Sequence, residues 1–249
     1  MGAATASPTK GRSLAERTSS RWGRRRAGVP DLASTDQVLV IGLGRFGAEL
    51  ATSLVALGHE VLGVDTDPQI VQRYSALLTQ TVEADCTDLD VLRQIGAAEF
   101  PCAVVGIGTG IEASVLTVAA LADLEIPNIW AKAITESHAR ILERVGAHRV
   151  VSPEKEMGQR VAHLVTGRMI DYLEIDKGFA LVETTAPAEL VDKSLTEVLF
   201  RSRYGVTVVC IKPAGGVFTY ATPDTKIGEG DILLVAGEAA RAEAFANLV

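Results

Sequence analysis

At 249 residues, of which 47% are apolar, the chain is long enough to fold into two modest domains. Its net charge of −7 lacks the basic excess that nucleic-acid binding requires, so nucleic acid is not an expected partner. No apolar run approaches the roughly 20 residues of a membrane-spanning helix. The cysteines, Cys86, Cys102 and Cys210, lack C-x-x-C spacing, which argues against disulfides or structural zinc and favours a reducing cytoplasm.

The charge is unevenly distributed along the chain. Residues 1–35 carry seven basic groups against Glu16 and Asp31, a net +5, which leaves −12 on the remainder. This segment is rich in Ser, Thr, Ala, Gly and Arg and has few apolar side chains to bury. We therefore predict a disordered basic tail over residues 1–35.

Residues 36–152 alternate short apolar runs with helical segments, a pattern typical of a parallel sheet covered by helices on both faces. The predicted strands are Val38 to Ile41, Val61 to Val64, Thr81 to Ala84, Ala103 to Ile107, Ile129 to Lys132 and Arg149 to Val151. The predicted helices begin near Arg45, Asp67, Asp88, Ile111 and Thr135. The fold class is therefore α/β, with a Rossmann-like doubly wound parallel sheet in this first domain.

Residues 153–172 are predicted to form a crossover helix and linker. Pro153 suits the first turn of a helix that runs to about Arg168. One apolar stripe follows at helical spacing, consisting of Met157, Val161, Leu164 and Val165. The pattern leaves open whether this stripe packs on its own domain or on a second subunit.

Residues 173–249 are predicted to form a second, smaller α+β domain. Its strands are Phe179 to Thr184, Val206 to Ile211 and Ile232 to Val235, with a short helix around Leu195 to Arg201 and a closing helix from about Glu238. This part has neither a Gly-rich phosphate turn nor a cluster of catalytic residue types. It is expected to bind a regulator or a partner protein.

The turn Gly42-Leu43-Gly44-Arg45-Phe46-Gly47 is a G-x-G-x-x-G motif between a strand and a helix. Gly42 permits the tight turn, Gly44 lets the backbone approach a pyrophosphate, and Gly47 lets the helix pack on the sheet. The helix N-terminus offers unpaired amides and a partial positive charge to phosphates. The motif in this setting predicts a nucleotide site.

Two cations and a carboxylate refine the predicted ligand. Asp65 lies where it accepts hydrogen bonds from the ribose hydroxyls, and its charge disfavours the 2′-phosphate of NADP. Arg45 and Lys132 are expected to converge on the phosphates, since ligands bind beyond the carboxyl ends of parallel strands. Two cations suggest a ligand more charged than a dinucleotide, so ATP or ADP competes with NAD.

Further residues are expected around the same crevice. Asp85 and Cys86 follow the third strand beside the adenine, with Asp85 as its hydrogen-bond partner and Cys86 as a small filler. Gly108 belongs to a Gly-rich loop that closes over ribose and phosphates. Glu112 and Ser114 open the following helix and are interpreted as its caps.

The sequence lacks a recognisable catalytic group. A dehydrogenase requires an acid or base near the nicotinamide, yet His59, His148 and His163 show no catalytic or metal-ligand spacing. His138, on the helix after Lys132, is expected to contact the nucleotide. The chain is therefore predicted not to be an enzyme, with an NAD-dependent oxidoreductase or an NAD(H)-responsive regulator as the alternatives.

From about residue 36 to the C-terminus, the chain resembles the regulatory subunits of Ktr-type bacterial potassium uptake systems, which are built from RCK domains. Three motifs carry the resemblance: V-I-G-L-G-R-F-G at Val40 to Gly47, I-P-N-I-W-A-K-A at Ile126 to Ala133, and P-E-K-E-M-G at Pro153 to Gly158. The family implies a homodimer that assembles into an octameric ring beneath a KtrB-like membrane potassium channel subunit. That places the chain in the cytoplasm, peripheral on the inner face of the membrane.

The resemblance also implies roles for individual residues. ATP activates and ADP inactivates such systems, with Arg45 as the γ-phosphate contact and Asp65 as the ribose contact. Lys132, His138 and Glu154 join the site, and the Glu154 carboxylate helps to hold Mg²⁺, Ca²⁺ or Na⁺. Neighbours of these residues complete the predicted nucleotide site, namely Phe46, Thr66, Asp67, Ile107, Thr109 and Ala133.

The second domain resembles a C-terminal RCK domain, which in several relatives binds cyclic di-AMP at a dimer interface. The resemblance implies contacts from six residues: Leu195, Val198, Arg201, Arg203, Tyr204 and Pro223.

Overall fold

The computed structural model describes residues 37–166 and 169–248. The predicted basic tail, residues 1–35, lies outside the described residues. The chain divides into two compact units, and the boundary in the sequence falls between Pro153 and Glu154. Within the described ranges, no helix has the length and apolar character needed to cross a membrane.

The first unit contains a six-stranded parallel sheet in the order β3-β2-β1-β4-β5-β6. Its strands are β1 (Gln37–Ile41), β2 (Glu60–Asp65), β3 (Gln80–Glu83), β4 (Cys102–Val105), β5 (Asn128–Lys132) and β6 (Arg149–Val151). The chain order reverses direction between β1 and β4, which are neighbours. This pair is the topological switch point, where ligands bind in doubly wound sheets.

Helices cover both faces of this sheet. They are α1 (Arg45–Ala56), α2 (Pro68–Tyr74), α3 (Leu89–Gln94), α4 (Ile111–Asp123) and α5 (Glu136–Arg144). Ala51 of α1 belongs to a core cluster on one face, while Leu92, Leu121 and Leu142 of α3 to α5 belong to a larger cluster on the other. Both faces of the sheet are therefore buried, which explains why β1 is almost continuously apolar.

The observed elements of the first unit follow the predicted ones closely. Each predicted strand is present, with ends that differ by at most two residues, and each helix begins at or beside its predicted start. The predicted doubly wound fold is confirmed.

The second unit is built on a five-stranded sheet in the order β10-β9-β11-β8-β7, with antiparallel neighbours. Its strands are β7 (Met169–Asp176), β8 (Phe179–Thr185), β9 (Val206–Lys212), β10 (Thr219–Tyr220) and β11 (Ile232–Glu238). Its helices are α6 (Pro153–Thr166), α7 (Leu195–Val198), α8 (Phe200–Arg203) and α9 (Ala239–Ala246). This sheet and its helices confirm the predicted smaller α+β domain.

Two strands were missed by the sequence analysis. Strand β7 begins at Met169, within the segment predicted as crossover helix and linker, and β10 has two residues. Only Met169 and Tyr172 of β7 are buried, and its pairing with β8 is interrupted by irregularities in register. A strand without regular alternation lacks the period-two signal that sequence reasoning uses.

Helix α6 is attached to the second unit by polar and aromatic contacts. The Arg160 guanidinium donates to the Asp171 carboxylate at 2.7 and 2.9 Å. The His163 ring stacks on Tyr172 with centroids 3.9 Å apart, and its Nδ1 lies 3.2 Å from Glu243 Oε1. Leu164 packs against the core of this unit.

The four apolar residues of the α6 stripe differ in burial. Leu164 packs on its own unit, while Met157, Val161 and Val165 are exposed.

Candidate functional site

The Gly-rich turn follows β1 at the switch point, and its three glycines have different roles. Gly42 has φ +87°, a left-handed conformation that favours glycine. A Cβ on Gly47 would lie 1.9 Å from the Gly42 carbonyl oxygen, so only glycine fits there. A Cβ on Gly44 would meet nothing within 4 Å. The space beside Gly44 is therefore open, and the contact of Gly44 with a pyrophosphate stays a prediction.

The loop after β4 closes against this turn. The Gly106 amide donates to the Ile41 carbonyl at 2.7 Å, and a Cβ on Gly106 would lie 2.9 Å from the Gly42 oxygen. A Cβ on Gly42 would lie 3.1 Å from Ile107 of the same loop. The phosphate turn and the β4 loop therefore form one tightly packed floor, in which the predicted site residue Ile107 takes part.

Asp65, the last residue of β2, also holds this turn. One carboxylate oxygen accepts from the amide of Leu43 at 2.7 Å, and the other accepts from the amide of Asp67 at 3.0 Å. Asp67 in turn caps α2 by accepting from the amide of Gln69 at 2.8 Å. Thr66, between them, is exposed. Asp65, the predicted ribose contact, therefore also stabilises the Gly-rich turn, a role that the sequence did not predict.

The two predicted cations differ in their surroundings. Arg45 is the first residue of α1 and is exposed, beside an N-terminus that has no side-chain cap. Lys132, at the end of β5, is only 8% exposed, and its Nζ lies 5.7 Å from the centroid of the Phe46 ring. A Cβ on Gly108 would lie 3.3 Å from the same Nζ. The Lys132 ammonium therefore lies between the phosphate turn and the β4 loop.

His138 is buried at the start of α5, with 2% of its surface exposed. Its Nδ1 accepts from the amide of Ile134 at 3.4 Å, which assigns the proton to Nε2. Within residues 37–166 and 169–248, Nε2 has no hydrogen-bond partner. Burial lowers the pKa of His138, so the ring is neutral at pH 7. The buried Nε2–H group is therefore a donor without a hydrogen-bond partner among the described residues.

Asp85 and Cys86 follow β3, as predicted. The Asp85 carboxylate accepts from the amide and the hydroxyl of Thr87 at 3.0 and 2.8 Å, and these bonds lower its pKa. Burial raises the pKa of Cys86 to about 12, with the Asp85 and Asp65 charges adding to the effect. Asp85 is an exposed anion suited to accept a hydrogen bond, and Cys86 is a protonated core residue, consistent with its interpretation as a filler.

The remaining predicted residues of this crevice occupy its rim and floor. Ala133 is buried directly after β5, and Thr109 is exposed in the β4 loop. The predicted capping roles of Glu112 and Ser114 are wrong, because Gly110 is the N-cap of α4 and that helix has no side-chain cap. Ser114 lies fully buried in the second turn, so its place in sequence near the helix start was misleading.

Glu154 lies in the first turn of α6, exposed, and belongs to the second unit. Its assignment to the nucleotide site and to a cation stays a prediction. In the part of the chain that the structure describes, no group of three or more His, Cys, Asp or Glu side chains is arranged to hold a metal ion.

The six residues expected to contact cyclic di-AMP lie in α7 and α8 or next to them. Tyr204 donates to Glu189 at 2.8 Å, Arg201 donates to Thr207 at 3.0 Å, and the Pro223 carbonyl accepts from the Thr196 hydroxyl at 2.8 Å.

Arg203 lies over the Tyr204 ring at 5.1 Å and is exposed. Val198 is only 3% exposed and packs in the core, whereas Leu195 is half-buried against it. The exposed arginines are accessible to a ligand, and Val198 has a packing role.

Two family models match the chain. The TrkA-N domain matches residues 38–153, and the TrkA-C domain matches residues 179–249. These matched ranges fall on the two structural units.

Curated relatives cover nearly the same length. Ktr system potassium uptake protein A of Bacillus subtilis is 36% identical over 85% of this chain and 96% of its own length. Ktr system potassium uptake protein C of the same organism is 36% identical over 80% of this chain and 90% of its own length. Both relatives are potassium uptake proteins. The prediction of a regulatory transport protein that is not an enzyme is therefore confirmed.

Solved structures share the fold. The GsuK RCK domain superposes with a TM-score of 0.61 at 18% identity, covering 92% of this chain and 51% of its own. A GsuK channel described as bound to NAD gives a TM-score of 0.59 at 17% identity, covering 93% of this chain and 42% of its own. The chain therefore spans about half the length, or less, of these solved chains.

Proposed function

The chain belongs to the family of Ktr system potassium uptake proteins. We propose that it is a cytosolic gating subunit, which binds ATP and ADP and thereby controls potassium flux through a membrane partner. The observation that supports this most is the pair of cations at the phosphate turn. Arg45 is exposed at the start of α1. The Nζ atom of Lys132 lies 5.7 Å from the ring centroid of Phe46, which belongs to the same turn. Such a pair suits a chain of phosphates.

The order of the strands supports an adenine nucleotide as the ligand. Asp85 follows β3, Asp65 ends β2, the glycine turn follows β1, and Lys132 ends β5. Adenine, ribose and phosphates occur in that same order along ATP. Asp85 accepts from the adenine amino group, Asp65 accepts from the ribose hydroxyls, and the turn and cations bind the phosphates.

Regulation follows from a difference in affinity between states. ATP and ADP must bind the active and inactive forms of the assembly unequally, since a ligand shifts an equilibrium only by its differential affinity. We assign the γ-phosphate contact to Arg45. Glu154 joins the site and holds Mg²⁺, Ca²⁺ or Na⁺ near the terminal phosphates.

The assembly proposed is a homodimer that forms an octameric ring on a KtrB-like channel subunit. This places the chain in the cytoplasm, on the inner face of the membrane. The second unit binds cyclic di-AMP through the residues around α7 and α8, and the exposed Arg201 and Arg203 supply the positive charge for its phosphates.

Two measurements test this function. Isothermal titration of the full chain with ATP, ADP, NAD and NADH is expected to give tighter binding of ATP and ADP, and comparable affinity for all four would contradict the ATP sensor. Reconstitution with the membrane subunit in vesicles is expected to give potassium flux that differs between ATP and ADP. Identical flux with both nucleotides would rule out gating by nucleotide state.

A second candidate is an NAD(H)-responsive regulator. Asp65 suits the adenosine ribose of NAD as well as that of ATP, and a GsuK channel of the same fold is described as bound to NAD. The titration above separates the two candidates, because this one requires NAD or NADH to bind more tightly than ATP.

A further inference from the structure

Two histidines hold the segment that contains most of β5, and both do so through the same kind of hydrogen bond. The amide of Ile129, the second residue of β5, donates to Nδ1 of His148 at 3.0 Å. The amide of Ile134, two residues after the end of β5, donates to Nδ1 of His138 at 3.4 Å. We call residues 129–134 the β5 segment. Each end of this segment is therefore bound to an imidazole nitrogen that acts as an acceptor.

His148 bonds Ile129 with its backbone as well as with its ring. The amide of His148 donates to the carbonyl of Ile129 at 2.9 Å, directly before β6 begins at Arg149. Ile129 is 0% exposed, so water does not reach its amide. Buried amides in folded proteins are nearly always paired, because an unpaired one loses the hydrogen bond that it makes to water in the unfolded chain. The His148 ring is therefore the partner that this buried amide requires.

Bonds of this kind exist only while the histidine ring is neutral. In a neutral imidazole one nitrogen carries a proton and the other accepts, whereas in the protonated ring both nitrogens are donors. A protonated His148 or His138 would direct an N–H group at the amide that it now accepts from. Histidine is also the side chain whose charge ordinarily changes between about pH 5 and pH 8. Protonation in this range would break the bonds at both ends of the β5 segment.

Burial adds a second reason for His138 to stay neutral. The ring is 2% exposed, and its burial lowers its pKa below the ordinary value of 6.5. The folded protein therefore takes up this proton less readily than the unfolded chain does. The stability that the neutral ring contributes is complete above the unfolded value of about 6.5, and it is lost as the pH falls from there through the folded pKa.

The charged groups near the two rings do not favour a proton on either of them. Those on β5, on α5 and on the helices and strands that contact them are Lys132 on β5, Glu112 and Asp123 on α4, Glu136, Arg140, Glu143 and Arg144 on α5, and Arg149 on β6. The four carboxylates are all exposed, so solvent screens them. Only Lys132 is buried, and its positive charge opposes a further positive charge on the same segment.

We propose that His148 and His138 form a proton-sensitive switch, which holds the β5 segment in place only while both rings are neutral. Lys132 belongs to this segment, so acidification is expected to loosen the position of its ammonium group. The resulting loss of nucleotide affinity rests on the proposed function, whereas the switch itself does not. The pH of the surroundings would then act on the site through the fold, without a contact between either proton and the ligand.

Amide exchange of the ligand-free full chain measures both bonds directly. The protection factors of Ile129 and Ile134, which correct for the intrinsic pH dependence of exchange, are expected to fall about tenfold from about pH 7.5 to about pH 5.5, the order of one lost hydrogen bond. Asparagine is the matched substitution, because its Oδ1 accepts a hydrogen bond and does not titrate. His148→Asn should remove the pH response at Ile129, and His138→Asn should remove the response at Ile134.

A second measurement does not depend on the folding of any variant. Nitrogen NMR of the unaltered chain at neutral pH is expected to show both rings with a proton on Nε2 and none on Nδ1. His59→Asn, in the turn between α1 and β2, is the control and is expected to leave the pH response of both amides unchanged. Protection factors that do not change with pH, or a proton on Nδ1 of either ring at neutral pH, would overturn the switch.

Titration of His148→Asn with ATP tests the consequence for the site, since His148 lies outside the predicted nucleotide contacts. Comparing this variant with the unaltered chain at each pH cancels the protonation of the nucleotide phosphates themselves. The two are expected to bind ATP equally at about pH 7.5, and the unaltered chain several-fold more weakly than the variant at about pH 5.5. Equal affinities at both pH values would overturn the link to the site and leave nucleotide binding intact. Absence of ATP and ADP binding would overturn the proposed function, while the exchange measurement would still decide the switch.

Discussion

The carboxylate of Asp65 accepts a hydrogen bond from the amide of Leu43, inside the glycine turn, at 2.7 Å. The residue expected to bind ribose therefore also fixes the conformation of the phosphate turn. Its second oxygen, which accepts from Asp67 at 3.0 Å, joins the turn to the start of α2. The proposed recognition of ribose and the proposed recognition of phosphate therefore depend on the same side chain.

We predict that Asp65→Asn weakens binding of tripolyphosphate, which has no ribose, as well as of ATP. An asparagine has one acceptor oxygen and turns an NH₂ group toward one of the two amides, so one bond to a charged acceptor is lost. Such a bond contributes about 1.5–3 kcal/mol, which corresponds to roughly tenfold or more in affinity. Calorimetry with both ligands measures the effect. Asp88→Asn, at the aspartate that caps α3 and lies outside the predicted site, is the control. An unchanged affinity of Asp65→Asn for tripolyphosphate would restrict the role of Asp65 to the ribose.

The glycines of the turn are expected to separate folding from binding. Gly47→Ala places a Cβ 1.9 Å from the Gly42 oxygen and should destabilise the first unit by at least about 1–3 kcal/mol. Gly44→Ala meets no atom within 4 Å and should leave stability unchanged while weakening ATP, because the methyl group occupies the ligand's space. Chemical denaturation and titration of each variant test this. Loss of stability in Gly44→Ala would show that the open space has a structural purpose.

Arg45→Ala is expected to weaken ATP more than ADP. The guanidinium is exposed at the start of α1, and a cation there adds most to the binding of the terminal phosphate. We expect a loss of about tenfold for ATP, the order of one charge-assisted bond. Arg73→Ala, at an exposed arginine near the end of α2, is the matched control. Equal weakening of ATP and ADP would argue against the γ-phosphate role.

The first unit was predictable because its signals are local. Apolar runs buried on both faces, the glycine turn and the caps Asp67, Asp88 and Thr135 each follow from a few adjacent residues. The ends of elements shifted by a residue or two, as expected where helices and strands fray.

The contacts that could not be predicted from the sequence join residues that are distant in the chain. The bond from Leu43 to Asp65 spans 22 positions, and the burial of Ser114 follows from which face of α4 meets the sheet. The contacts of His163 could not be predicted because its partners, Tyr172 and Glu243, come together only in the folded second unit. Pattern reasoning identifies residue types at the ends of strands, and the fold decides which of them meet.

Cys86 is expected to resist alkylation in the folded protein. Burial raises its pKa to about 12, so at pH 8 it is a buried thiol and not the reactive thiolate. Iodoacetamide labelling followed by peptide mass spectrometry should leave Cys86 unmodified in the native chain and modify it in denaturant. Labelling in the native state as fast as in denaturant would show that this part of the first unit opens readily.

The attachment of α6 to the second unit is expected to depend on pH through Asp171. The Arg160 guanidinium donates to this carboxylate and holds its pKa below the ordinary value, with a further bond from the amide of Tyr172. A depressed pKa means that the pair stabilises the fold above the unfolded value of about 3.9 and loses this contribution as pH falls through the folded pKa. Both side chains are about two-fifths exposed, so solvent screening keeps the effect modest.

Asp171→Asn should therefore lower the free energy of unfolding at pH 7. The difference from the unaltered chain should begin to shrink as the pH falls below the unfolded pKa of about 3.9, and should be lost as the pH falls through the lower folded pKa. Denaturant titrations across this range measure it. Asp176→Asn, on the same strand, where the carboxylate accepts from the amide of Lys177 at 2.7 Å, is the matched control. A difference that stays constant with pH would mean that Asp171 acts through packing, and that α6 is held by the His163–Tyr172 stack and the Leu164 contact instead of by charge.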